Sequence, residues 1–397
     1  MKKRIYLDYA ATTPVDSRVV KAMLPYFTKK FGNPMSLHGF GQEAKLALEE
    51  SRKKIADFIG AEAEEIIFTS SATESNNLAI KGIALANRDK GRHIITSPIE
   101  HPCIMEASSW LESQGFEVTR LRVDKYGLVD IEDLKNKIRK DTILVSVMHA
   151  SNEIGTIQPI EEIGKICRSK GIYFHTDAVQ SFGKLPIDVN KLNVDMLSAS
   201  SHKMYGPKGA ALLYIRKGVK IEPLLHGGGQ EGGLRSSTSN IPGIVGFAKA
   251  CEIANKEMKK DNLRMLRMRD KLIKGILKTI SGSHLNGPPV GEASHLQKRL
   301  PNNINVWFDF IEGESMIVQL DLLGIAASTG SACSSAKLEP SHVLLATGLK
   351  HQEAHGSLRL SLGKWTTDEE INYVLKVLPP IVKKLRDISP FKKSFKF

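Results

Sequence analysis

From about residue 40 to residue 217 the chain alternates between helical periods and short β-rich runs. GQEAKLALEESRKKIADFIG (41–60) has helical spacing and closes on Gly60, a C-terminal stop. EIIFTS (65–70) then reads as a strand and ESNNLAIKGIALANR (74–88) as a helix. HIITS (93–97) is strand-like, CIMEASSWLESQG (103–115) helical, and EEIGKICRSKG (161–171) a further helix. EVTRLRV, TILVSVMHA, IYFHTDAVQ, VDMLSAS and GAALLYIRK supply the remaining strands. Strands separated by helices predict an α/β fold with a mostly parallel sheet covered on both faces. After about Asn240 the texture changes to long helices, a Pro/Gly loop (NGPPVGEASHLQKRLPNN), a few strands and a final helix. At 397 residues the chain exceeds one ordinary core. The expected division is a large domain over 16–256 and a smaller α+β domain over 257–397, joined by residues 1–15.

Composition narrows the class. Hydrophobic content of 41% and charged content of 25% are those of a soluble globular chain. No apolar run approaches the roughly 18 residues of a membrane span. The start MKKRIYLDYAATTP has no apolar signal region, so a cytoplasmic location is expected. Cys103, Cys167, Cys251 and Cys333 form no CxxC and no metal-type spacing, which suits a reducing compartment and predicts no metal site. The net charge of +13 gathers in KKDNLRMLRMRDKLIKGILK (259–278) and in the C-terminal FKKSFKF. Leu263, Leu266, Ile273, Leu277 and Ile280 fall near helical spacing, predicting a surface helix with a solvated basic face. A docking face for an acidic partner or RNA is the alternative, but no nucleic-acid-binding motif accompanies it.

In open parallel sheets ligands gather beyond the carboxyl ends of the strands. Here those ends read TSSATESNN, SPIEHP, HASNEIG, HTDAVQS and SASSHK, all rich in hydrogen-bonding or reactive side chains. SSATESN opens a helix, where backbone N–H groups favour an anion and Thr73 adds a hydroxyl; it also reads as a capping box from Ser71 to Glu74, and the two are compatible. Asp177 is either a hydrogen-bonding residue at the core edge or the partner of a protonated ring nitrogen, as pyridoxal phosphate enzymes require, with Gln180 in reach of the ring hydroxyl. Lys203 is either a snorkelling lysine at a strand end or a desolvated amine able to form a Schiff base. Ser200 and His202 beside it suit a phosphate. His101 suits stacking on a flat cofactor and moving protons near neutral pH.

Ten motifs in order carry a resemblance. They are YLDYAATTP, FGNPMSLH, FTSSATESNN, EHPCI, HASNEIGTIQPI, HTDAVQSFGKLPID, SSHKMYGPKGAALLYIRKG, GGGQEGGLRSSTSNIPGIVG, STGSACSSAKLEPSHVL and HGSLRLSLGKWTT. From about Tyr6 to Pro390 the chain resembles the group I cysteine desulfurases of the NifS/IscS type, within the class V, fold-type I aminotransferases. The resemblance implies a pyridoxal 5'-phosphate enzyme with Lys203 holding the cofactor. It implies that Ala72, Thr73, Ser200 and His202 bind the phosphate, with Thr238 reaching it from the other subunit of a homodimer. Asp177 would pair with the ring nitrogen, Gln180 with the ring oxygen, and His101 would stack on the ring. Asn152, shared with the cofactor, and Arg359 would hold the substrate carboxylate; a planar guanidinium matches a carboxylate in two places.

Cys333 lies in STGSACSSAK, among small residues that cannot pack a rigid core, so a mobile loop over about 328–340 is expected. In the family this cysteine takes the sulfur of L-cysteine as a persulfide, for an iron–sulfur scaffold protein or another acceptor such as tRNA-thiolation enzymes. Cys103, Cys167 and Cys251 lie in helix-like runs and read as structural. The rival readings are a selenocysteine lyase or other class V lyase, and a non-catalytic sulfur carrier or RNA-binding platform.

Overall fold

The computed structural model describes residues 4–291, 298–330 and 339–389. Twelve strands are present among the described residues. They are β1 (Ile5–Tyr6), β2 (Ile66–Thr69), β3 (His93–Thr96), β4 (Glu117–Arg120), β5 (Thr142–Ser146), β6 (Tyr173–Asp177), β7 (Met196–Ser200), β8 (Ala211–Ile215), β9 (Ser283–Leu285), β10 (Asn303–Phe308), β11 (Ile325–Ala326) and β12 (Ser357–Ser361).

Seven strands form one sheet in the order β2-β8-β7-β6-β5-β3-β4. Only β8 runs against its neighbours, pairing antiparallel with both β2 and β7. The other pairs are parallel; a helix precedes each of β4, β5 and β6, whereas β6 leads into β7 through turns. The inner strands are buried on both faces, which is why their sequences are nearly continuous apolar runs. The fold is therefore α/β with a mixed, mostly parallel sheet. The helix Gly39–Ile59 ends as its sequence predicts, on Gly60 at φ 69°, where a side chain would be strained.

A second sheet has the order β12-β10-β9 and is antiparallel throughout. Its core gathers Ile304, Val306, Phe308, Leu358 and Leu360 with Ile371, Val374, Leu378 and Val382 of the final helix, Asp368–Ile388. Ile5 and Leu7 join the same core, and β1 pairs parallel with β11. The 39-residue helix Ile241–Thr279 spans both cores, giving Ile244, Phe247 and Cys251 to the first and Met265, Leu272 and Ile276 to the second.

The basic stretch of that helix differs from its expected face. Leu263 and Leu277 are exposed, whereas Met265, Met268, Arg269, Leu272, Ile273 and Ile276 are buried. Arg269 is admitted to this face because its guanidinium donates to the carbonyls of Arg299 and Leu300 and pairs with Asp270. Arg264 donates to the carbonyls of Lys364 and Thr366. Part of the basic charge is thus bound internally, not solvated. Among the described residues no helix is long and apolar enough to cross a membrane, and no cluster of metal-ligating side chains is present.

Candidate active site

The carboxyl ends of β2, β3, β5, β6 and β7 open into a cleft of about 870 Å3, part of it open solvent. Its lining includes Ala72, Thr73, His101, Asn152, Asp177, Gln180, His202, Lys203 and Arg359. Nine of the predicted site residues therefore share one cavity. Ser200 is the buried last residue of β7 and does not line it. Thr238 is exposed on the loop before helix Ile241–Thr279 and does not line it either. Cys333 lies outside the described residues.

The anion end is set by helix Ala72–Ala86. Ser71 is its N-cap and accepts the N–H of Glu74 at 3.2 Å. The Glu74 carboxylate does not close the capping box on Ser71. It accepts the N–H of Ser70 and pairs with Arg235 at 2.7 Å. The N–H groups of Ala72 and Thr73 are donors to no described residue, so they remain for an anion at a helix start. Arg235 offsets the negative charge of Glu74 beside that position.

Lys203 follows β7 on a short 3-10 turn. Its Nζ donates to the carbonyls of Ala10 and Ala11, both at 2.7 Å. The N-terminal segment is held over the strand ends by further bonds. Gln180 Nε2 donates to Ala10 O at 2.9 Å, Thr13 Oγ1 donates to His202 O at 2.9 Å, and Thr12 Oγ1 lies 3.1 Å from His202 Nδ1. Burial, then the charges of Lys203, Lys208 and Lys184, push His202 down to about 4, so it is neutral.

Asp177 ends β6. Oδ1 accepts the N–H of Val179 at 2.9 Å and Oδ2 accepts Asn76 Nδ2 at 2.7 Å. Two neutral donors fix the carboxylate and leave its charge for a cationic partner in the cavity. Arg359, on β12, is 2% exposed. It donates to Asn152 O at 3.1 Å and pairs with Asp8 at 3.0 Å, while its Nε has no partner among the described residues. A guanidinium carries five N–H groups, so donors remain for a second carboxylate.

The segment bearing Cys333 is bounded by anchored residues. Ser328 exchanges backbone hydrogen bonds with Arg359. Ser341 caps the helix His342–Ala346 and donates to the buried carboxylate of Glu153, next to Asn152. Both flanks are therefore tied to the Arg359 and Asn152 side of the cleft.

Three residues here were not among the sequence candidates. Asn76 lies one turn into helix Ala72–Ala86, inside the ESNN motif, and faces the sheet. Lys184 is 5% exposed and donates to the carbonyls of Gln180 (3.0 Å) and Lys203 (3.1 Å). Cys103 lines the cleft and is half-buried. It follows His101 by two residues at a helix start, and that spacing turns it toward the cleft. Cys167 and Cys251 are buried in the core.

The description Aminotransferase class-V matches residues 5–374. A relative from Methanosarcina thermophila named cysteine desulfurase IscS is 58% identical over 98% of this chain and 94% of its own. The chain belongs to the class-V aminotransferases, among the cysteine desulfurases. A further cysteine desulfurase IscS, from Dictyoglomus turgidum, is 55% identical over 100% of this chain and 99% of its own. Among solved structures, a NifS-like protein aligns with a TM-score of 0.89 at 43% identity, covering 96% of this chain and 100% of that one. A structure of SspA in complex with cysteine aligns at 0.78 and 39% identity, covering 92% and 100%.

Proposed function

We propose that this protein removes sulfur from L-cysteine, releases L-alanine and carries the sulfur on Cys333. The observation that carries the reading is the donor set of one cleft. An amine (Lys203), unclaimed helix N–H groups (Ala72 and Thr73), a fixed carboxylate (Asp177) and a buried guanidinium with spare donors (Arg359) all line it. This set fits pyridoxal phosphate: amine for aldehyde, helix start for phosphate, carboxylate for the pyridinium nitrogen. His101 and Gln180 would serve the ring and His202 the phosphate; Ser200, buried at the end of β7, and Thr238 of a second copy in a homodimer complete the proposed phosphate site from outside this lining. Bound there, the cofactor supplies an electron-withdrawing ring that stabilises negative charge at the substrate Cα.

The chain's own residues do the rest. Asn152 and Arg359 orient the substrate carboxylate, and the Asp8 pair keeps the guanidinium in place. Lys203 takes the proton from Cα. His101, neutral because burial lowers its pKa, moves protons at the substrate side of the ring. Cys333 takes the sulfur: its S–S bond forms as the substrate's C–S bond breaks, leaving alanine. The acceptor of the persulfide is an iron–sulfur scaffold or another thiol-bearing protein.

Incubation with L-cysteine and a thiol reductant, with sulfide and alanine measured together, tests the reading. Equal amounts of both are expected from the wild type. Cys333→Ala should bind cofactor and give neither at the wild-type rate. Turnover without alanine, or a Cys333→Ala protein with full desulfuration, would overturn it.

A further inference from the structure

His101 is itself the N-cap of helix Pro102–Ser113. That position folds the imidazole back over the first turn. Nδ1 accepts the backbone N–H of Cys103 at 3.2 Å and lies 3.1 Å from Cys103 Sγ. On its other side the sulfur lies 3.2 Å from Asn76 Nδ2, the same nitrogen that donates to Asp177. An amide nitrogen carries two N–H bonds, one for the carboxylate and one for the sulfur. The sulfur is thus an acceptor toward Asn76. Burial, then the charge of Asp177, push the thiol up to about 12, against the hydrogen bonds with Asn76 and with the Thr73 hydroxyl, so the S–H proton is present. A backbone donor already occupies Nδ1, so that nitrogen is an acceptor, and the thiol is its second donor.

We propose that Cys103 is a positioning residue whose thiol links Asn76 to His101 and reinforces, at Nδ1, the neutral imidazole whose proton the backbone N–H of residue 103 already directs to Nε2. The inference goes beyond the proposed reaction in assigning which nitrogen serves the cleft. A ring that holds two donors at Nδ1 has only Nε2–H to offer substrate or cofactor. It also resists protonation, because charging Nδ1 requires the S–H to turn away. The other groups facing His101 come from four places. Asp177 at the end of β6 and Glu153 beyond β5 favour its charged form, while Lys203 beyond β7 and His342 of the following helix oppose it. All four are unchanged by substitution at Cys103.

The test compares Cys103→Ala and Cys103→Ser in enzyme labelled with 15N-histidine, the His101 signals being assigned with His101→Gln. Wild type and Cys103→Ser should show an unprotonated Nδ1 and a protonated Nε2. Cys103→Ala keeps the backbone donor and with it the tautomer, but should show a displaced Nδ1 signal and a His101 pKa higher by about half a unit to one unit, the worth of one neutral hydrogen bond. The acid limb of kcat/KM for L-cysteine should move by the same amount in Cys103→Ala and return in Cys103→Ser. Wild-type nitrogen shifts in Cys103→Ala, or a Cys103→Ser protein that behaves like the alanine variant, would overturn the proposal. The nitrogen signals are read without turnover, so a failure of the desulfurase reading leaves this test intact.

Discussion

Two histidines of the same sheet show what separates its interior from its open end. His175 sits within β6, with Nδ1 2.9 Å from Ser146 Oγ and Nε2 3.0 Å from Ser198 Oγ. Both nitrogens are held by hydroxyls of neighbouring strands, and burial pushes the ring down to about 3. Among the described residues His101 has only Nδ1 held, and it lines the cleft. The lysines divide in the same way. Lys184 and Lys203 each donate to two backbone carbonyls, yet Lys184 is sealed in the wall and Lys203 stands in the cavity. The residue types and local partners are alike. What differs is whether one polar atom reaches space large enough for a ligand.

The strongest break of this comparison is Lys203→Ala. Turnover should fall by about 10^4 or more, since the variant loses both the covalent anchor and the base. Borohydride reduction should no longer fix cofactor to the chain, and circular dichroism should stay native. Retained, reducible cofactor in this variant would return Lys203 to the class of Lys184.

Arg359→Ala should follow. Loss of a charge-assisted clamp worth about 3 kcal/mol lowers kcat/KM for L-cysteine by about 10^2. Arg359→Lys should recover only part, because an ammonium cannot match a carboxylate in two places. Steady-state kinetics over a wide cysteine range would show it. A lysine variant with wild-type kcat/KM would remove the clamp.

His175→Ala sharpens the contrast from the interior side. It leaves two buried hydroxyls without partners and a cavity, so denaturation should show a loss of about 2–4 kcal/mol. Turnover per folded molecule should not change. His101→Ala should do the reverse, costing about 10^2 in turnover and little stability. The interior histidines also set an acid limit. His149 is pushed down to about 4 and His175 to about 3, each by burial. Their folded values lie below the unfolded value of about 6.5, so the stability they contribute is present above that pH and is lost as pH falls. Thermal melts should drop progressively below about pH 6.5, less steeply in His175→Ala.

A last contrast belongs to Lys184. Burial, then the charge of Lys203, push it down to about 7. The unfolded lysine titrates near 10.4, so between these values the unfolded chain binds the extra proton and stability rises with pH. In Lys184→Met that rise should disappear, and the wild type should gain on the variant as pH goes from 7 to 10. Parallel melting curves across this range would show that Lys184 keeps an ordinary pKa.

Much of the molecule was legible along the chain because its causes are local. Strand and helix alternation, the Gly60 stop and the polar residues behind each strand depend on neighbours a few positions apart, and they pointed to the strand ends where the cleft lies. Asp177, Lys203 and His101 could be named because each stands where a strand ends. The helical face of 259–278 could not be read correctly. Spacing alone ranks Leu263 above Arg269, and only the carbonyls of Arg299 and Leu300 allow an arginine inside.

The sequence by itself determined the sheet, its crossovers and the chemistry gathered at five strand ends. Tertiary structure alone decided which of these groups meet. Arg359 is held at the cleft because Asp8, 351 positions away, binds one nitrogen and Asn152 another. Lys203 is held by Ala10 and Ala11, and Cys103 is joined to Asp177 through Asn76. Such hydrogen bonds act over about 3 Å in space and carry no periodicity along the chain, so no local pattern announces them.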